Sequence, residues 1–110
     1  MIVIDIKSSM PTQEVAEMML KQQLNGIKNK VKIVKILHGY GSTGVGGSIK
    51  TMAHNTLKSM MARKQIKAYV PGEAIYQTLG FDEVIRRYKP LMVQDSDFKK
   101  GNPGITYVIV

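Results

Sequence analysis

The residues best suited to chemistry lie in one stretch, His38-Gly39-Tyr40-Gly41-Ser42-Thr43-Gly44-Val45-Gly46-Gly47-Ser48. It sets one of the chain's two histidines ahead of five glycines. An imidazole titrates near neutrality and can move a proton. Glycines let the backbone take positive φ and approach a ligand closely, and amides that open a helix favour an anion. With Ser48 as a helix cap, the run Gly39, Gly41, Ser42 and Gly44 is a candidate phosphate cradle; the alternative is a plain strand-to-helix connection. Tyr40, held between two glycines, can stack on an unpaired base or cover the loop's own backbone.

Two phosphate-loop readings fail on spacing. Gly39, Gly41 and Gly44 satisfy G-x-G-x-x-G, but the ribose-binding acid expected about 20 residues on is missing. A Walker loop fails because Gly47 stands where a lysine would follow Gly46. Beyond the loop, Lys50, His54 and Lys58 fall at i, i+4 and i+8, a basic stripe expected on the exposed face of the following helix. Asp5 is the carboxylate expected near His38, either to orient the imidazole or to hold a divalent cation such as magnesium beside a phosphate.

The elements that must position these groups follow from apolar spacing. Ile2–Ile6 reads as a strand, and Ser8–Thr12 as the opening of a helix whose apolar face is Ala16, Met19, Leu20, Leu24 and Ile27. Asn25-Gly26 is its expected stop. Val31–Leu37 reads as a second strand, and Ile49, Met52, Ala53, Leu57, Met60 and Met61 as the buried face of a second helix. Ile66–Val70 reads as a short strand broken by Pro71-Gly72. Phe81, Val84, Ile85 and Tyr88 predict a helix, Leu91–Gln94 a further strand, and Ile105–Val110 a terminal strand after the Gly101–Gly104 turn. The order predicts a two-layer α/β sandwich: a β-α-β-α core on a mixed sheet, an inserted strand and helix segment, and a C-terminal strand. A strand–helix–strand unit makes its strands parallel, so Asp5 and His38 share one sheet edge, where ligands of open α/β sheets bind.

Composition narrows the partners. The 110 residues suit one domain, spanning 1–110, and 44% apolar side chains suffice for a core. With no cysteine there is neither a disulfide framework nor a thiolate site. The apolar runs fall short of the ~20 residues of a membrane span, and the first residues do not resemble a signal peptide. A cytoplasmic location without a membrane partner is expected. The net charge of +8 arises entirely between Met18 and Gly72, 55 residues with ten bases and no acid. Such a field favours nucleic acid or another polyphosphate, against the alternative of a lysine surface kept for solubility.

His38-Gly39-Tyr40-Gly41 after an apolar strand resembles the His-Gly-x-Gly signature of the small MutS-related (Smr) domain. Ile4-Asp5-Ile6-Lys7-Ser8 falls where that family carries Leu-Asp-Leu-His-Gly. Gly104-Ile105-Thr106-Tyr107-Val108 is similar to its closing Gly-x-Thr-x-Val strand. The matches keep the family's order over residues 4–110, with about 71–100 as an insertion. The resemblance implies a nucleic-acid-binding domain that, in many members, nicks DNA or cleaves RNA, and in some acts on ribosomes. It assigns Asp5, His38, Gly39 and Gly41 to the functional edge. Lys7 replaces the first motif's histidine, and Ser8 its glycine, which puts cleavage in doubt and keeps a phosphate-binding charge. In an endonuclease, His38 and Asp5 would act on the phosphodiester while Lys7 and the Gly39–Gly41 amides stabilise its oxygens. The alternatives are a non-catalytic RNA- or ribosome-binding module and a small-molecule phosphate binder using the glycine loop.

Overall fold

The computed structural model describes residues 1–9, 11–27, 29–39, 45–77 and 80–110, with the backbone alone for 45–48. The chain runs β1 (Ile2–Asp5), α1 (Gln13–Ile27), β2 (Ile33–Leu37), α2 (Val45–Ala62), β3 (Ala68–Pro71), a 3-10 turn (Gly72–Ile75), α3 (Asp82–Met92), α4 (Ser96–Lys100) and β4 (Ile105–Ile109). The sheet is mixed, in the order β1-β2-β4-β3. β1 and β2 are parallel, as the crossover through α1 requires, and β4 is antiparallel to both neighbours.

Alternation along the strands assigns the two sheet faces. Ile4, Val34, Ile36 and Val108 point to one face, where Ala16, Leu20 and Leu24 of α1 and Met52, Ala53 and Leu57 of α2 cover them. Each such side chain, fully buried, contributes about 1.5–3 kcal/mol by leaving water, Ala16 and Ala53 less. Thr12 Oγ1 accepts the Val15 amide at 3.3 Å and opens α1. The helix then runs through Asn25-Gly26 instead of stopping there, because Ile27 still packs on the core.

The inserted segment covers the second face. Ile33, Val70, Ile105, Tyr107 and Ile109 pack there against Ala74, Met92 and Phe98, with Val84, Ile85 and Tyr88 of α3 alongside. The insertion thus adds a partial third layer to the α/β sandwich, leaving Val3 of edge strand β1 48% exposed. Leu91 and Met92 are the last turn of α3, not the start of a strand. They continue the Phe81–Val84–Ile85–Tyr88 face at helical spacing, and Met92 is buried. α4 was not expected; Asp95 caps it by accepting the Asp97 amide at 3.2 Å, and Gly101 closes it. Among the described residues, no helix is long and apolar enough to cross a membrane.

Lys35 shows what the third layer does to the charge. It lies on central strand β2 beneath α4 and is 9% exposed. Its Nζ donates to Asp95 Oδ1 at 3.0 Å and Asp97 Oδ2 at 2.8 Å, while Tyr107 Oη donates to Asp95 Oδ2 at 2.6 Å. Burial disfavours the ammonium, yet the two carboxylates hold its pKa above the ordinary lysine value. Lys35, with Asn102 as a second donor, holds the Asp97 carboxyl below the usual carboxylate range.

Candidate functional site

Three distant segments meet at the carboxyl edge of β1 and β2. Asp5 pairs with Leu37 in register, so the residues after each strand emerge side by side. The amides of His38 and Gly39 both donate to the Gly104 carbonyl, at 3.1 and 3.0 Å. Gly39 takes φ +87°, open to glycine and strained for other residues. A β-carbon there would lie 3.6 Å from Lys7 Cδ, so the Lys7 side chain lies over Gly39. The Lys7 side chain and the first glycine of the glycine-rich stretch are thereby neighbours.

His38 is 0% exposed and carries two ring hydrogen bonds. Its Nδ1 stands 2.8 Å from the Gly39 carbonyl oxygen, its Nε2 2.8 Å from Thr106 Oγ1. His54 Nε2 stands 2.9 Å from the same Thr106 oxygen. A carbonyl only accepts, so Nδ1 of His38 carries the proton. Burial, reinforced by His54 and Lys50, lowers the His38 pKa to about 4 despite the Gly39 bond, so the ring is neutral at pH 7. Its Nε2 therefore accepts the Thr106 hydroxyl proton, and His54 Nε2–H must donate to Thr106. The lone pair of the His54 ring is then on Nδ1, for which no hydrogen bond is found among the described residues. Burial likewise lowers the His54 pKa, opposed by Glu73. Tyr69 lies 6.0 Å from the His54 ring, and Phe81 5.4 Å from Tyr69, ring centre to ring centre.

The expected basic stripe is not an exposed face. Lys50 Nζ donates to Glu73 Oε2 at 3.2 Å and to the Pro103 carbonyl at 2.9 Å, and the half-buried His54 turns to Thr106. Lys58 alone of the three is exposed. The reason is tertiary: Glu73 of the insertion and the Pro103 carbonyl before β4 offer acceptors to Lys50, and Thr106 on β4 itself offers one to His54.

Asp5 does not orient His38, whose two ring nitrogens are already occupied. The Asp5 carboxylate accepts the amides of Lys7 at 2.9 Å and Ser8 at 3.0 Å, and also the Ser8 hydroxyl. Partial burial pushes its pKa up, but these bonds from Ser8 and Lys7 leave it below the usual carboxylate range. It closes the turn that aims Lys7 across the edge. Among the described residues, no group of three or more His, Cys, Asp or Glu side chains could hold a metal ion.

Tyr40, Gly41, Ser42 and Gly44 lie outside the described residues. Ser48 is inside the first turn of α2, which begins at Val45, so it is not the cap.

The acid-free half of the sequence is also not one surface. Lys35 and Lys50 are bound to acids of the other half, and Lys21 pairs with Glu17 at 3.0 Å. Exposed Lys30, Lys32, Arg63, Lys64 and Lys67 gather where β2 and β3 begin, at the end of the sheet away from His38. Sequence reasoning missed Thr106 and Glu73, since neither stands near a candidate in the chain. Thr106 had one signal, its place in the Gly-x-Thr strand. No family model matches the chain, and neither does any curated protein or solved structure.

Proposed function

We propose that this chain is a cytoplasmic nucleic-acid-binding domain of the Smr type, holding a phosphodiester backbone at the carboxyl edge of β1 and β2. The observation that carries the reading is the Lys7 side chain lying over Gly39, which brings a cation to the mouth of the glycine loop. Two further features support it. The N-terminus of the 18-residue helix α2 follows that loop with no acid in its first turn, and helix N-termini favour phosphate. The His38–Thr106 bond ties together two of the segments that carry the Smr resemblance. His38 is then a positioning residue, setting the Gly39 peptide through Nδ1, and does not touch the ligand.

The test is binding of labelled single- and double-stranded RNA and DNA across a salt series. Affinity should fall log-linearly with salt, and Lys7→Glu should weaken it about tenfold and lower the slope by about 1. Salt-insensitive binding, or none, removes the reading. Thermal stabilisation by mononucleotides without oligonucleotide binding would make the loop a small-molecule phosphate site instead.

The hydrogen-bond chain favours one second reading, phosphodiester cleavage with His54 as the base. A neutral imidazole whose Nε2–H is fixed by Thr106 has its Nδ1 available to accept a proton from a 2′-hydroxyl or a water. His54→Gln should then abolish cleavage and retain binding. Undiminished cleavage by that variant rules His54 out.

A further inference from the structure

The sheet ends opposite His38 in a row of cations. Ile33, Ile109 and Ala68 stand side by side there, on β2, β4 and β3. Lys32 and Lys67 immediately precede β2 and β3, and β4 holds both: the Val110 amide donates to the Lys32 carbonyl at 3.1 Å, and the Lys67 amide to the Ile109 carbonyl at 2.8 Å. Two sheet spacings, about 10 Å, separate the two lysine backbones. Lys30 lies in the turn leading into β2, and Arg63 and Lys64 in the one leading into β3. None of the five makes an ion pair among the described residues. Lys67 also lines a cavity of about 460 Å³ with Arg86, Arg87, Tyr88, Val84 and Glu83.

Ordinary fold requirements account for only part of this row. A cation at the end of α2 suits the helix dipole, which explains Arg63. Lys64 is different. The Gln65 amide donates to the Met60 carbonyl at 2.9 Å and the Lys64 amide to the Met61 carbonyl at 3.0 Å, the hydrogen-bond pair of a Schellman helix end. In that motif the residue after the helix is left-handed and favours glycine, yet Lys64 occupies it at φ 62°. The chain thus places a charged side chain at the one position of this end where a β-carbon is strained.

We propose that this end of the sheet is a second phosphate-binding surface. A single-stranded nucleic acid runs across it from Lys30 and Lys32 over Lys64 and Lys67 to Arg86 and Arg87. One base enters the cavity beside Tyr88. The single strand is favoured because a cavity with Tyr88 in its wall, and the Arg87 guanidinium 5.7 Å from the centre of that ring, takes an unstacked base, which a duplex does not offer. The proposal rests on the nucleic-acid reading above and extends it: strands of about 17 Å separate the two ends, so a long strand can engage both.

The experiment measures anisotropy of labelled single strands of about 5 and about 25 nucleotides, and of a duplex, across a salt series. Lys32→Glu/Lys64→Glu/Lys67→Glu should lower affinity for the long single strand more than about tenfold and reduce the salt slope by about 3. Lys89→Glu/Lys99→Glu/Lys100→Glu, with the same net charge, should retain binding; equal losses in the two triple variants overturn the proposal. Lys64→Gly should raise Tm by about 4 °C while lowering the salt slope by about 1, separating the charge from the fold. A lower Tm without change in slope counts against Lys64. If the lysine triple variant loses the long strand but Lys7→Glu does not, the loop-edge reading falls and this one stands. Duplex bound as tightly as the single strand overturns the single-strand assignment, and no binding by wild type overturns both.

Discussion

Thr106 Oγ1 stands 2.8 Å from His38 Nε2, across a separation of 68 residues in the chain. The same oxygen meets His54 Nε2 at 2.9 Å, so one hydroxyl on β4 joins the end of β2 to the middle of α2. Both histidines of the chain are thereby committed to one hydrogen-bond chain that ends on the Gly39 carbonyl. The consequence for function is a division of labour. His38 is held neutral and buried to set the Gly39 peptide, while contact with a ligand at this edge falls to Lys7 in the proposed binding reading and to His54 in the proposed cleavage reading.

Thr106→Val keeps the shape of the side chain and removes the bridge. Two buried or half-buried imidazole nitrogens then lose their partner, at a cost of about 2 kcal/mol. Thr106→Ser, which keeps the hydroxyl, should lose much less. Urea denaturation of the two variants checks this, and equal midpoints would show that the bridge contributes nothing.

Acid should destabilise the protein well before its carboxylates titrate. His38 has a folded pKa of about 4 against an ordinary 6.5. Between these values the unfolded chain binds a proton that the folded chain does not, so stability falls as pH falls. The stabilisation is fully present above pH 6.5 and on the order of 3 kcal/mol is lost by pH 4. His54, also lowered by burial, adds in the same direction. Asp97, held below the usual carboxylate range by Lys35, acts only at lower pH. Urea midpoints at stepped pH should show the slope, and His38→Gln should flatten it; an unchanged slope in that variant would refute the assignment to His38.

Removing the Lys35 ammonium leaves Asp95 and Asp97 facing each other in a shielded site. Lys35→Met should therefore cost about 3 kcal/mol. The exposed i,i+4 pair Lys21–Glu17 is the contrast: Glu17→Gln should cost about 0.3 kcal/mol. A comparison of denaturation midpoints separates them, and similar losses would mean that α4 does not shield the Lys35 cluster.

Gly72 and Gly26 should respond oppositely to alanine. A β-carbon on Gly72 would collide with the Asn102 carbonyl, where backbone must move, so Gly72→Ala should cost about 2 kcal/mol. Gly26, near the end of α1, has nothing within 4 Å of an added β-carbon. Gly26→Ala should stabilise by about 0.5 kcal/mol. Thermal melts check both signs.

Much of the site was legible because it depends on local pattern. The run Ile2–Ile6, the helical spacing from Ala16 to Ile27 and the strand ending at Leu37 place Asp5 and His38 at one sheet edge through the parallel crossover alone. What could not be read was the direction of each polar side chain. Lys50 and His54 are spaced as a solvent-facing stripe, but Glu73 and Thr106, 23 and 52 residues further on, turn them inward. Leu91–Gln94 misled for a similar reason: a short apolar run suits either a strand or a helix end, and only the packing of Met92, the last residue of α3, against the sheet decides.

The β-α-β-α order of the core, the parallel pair and the placing of His38 before a glycine-rich stretch were determined by the sequence itself, since apolar periodicity and turn residues act over a few positions. The tertiary structure decided which charges remain exposed. A lysine in an acid-free stretch is solvated or neutralised according to what folds over it, and the acids that cover Lys35 and Lys50 come from beyond that stretch, Glu73, Asp95 and Asp97. For the same reason five exposed cations, Lys30, Lys32, Arg63, Lys64 and Lys67, gather at the sheet end away from His38, a separation that no local pattern encodes.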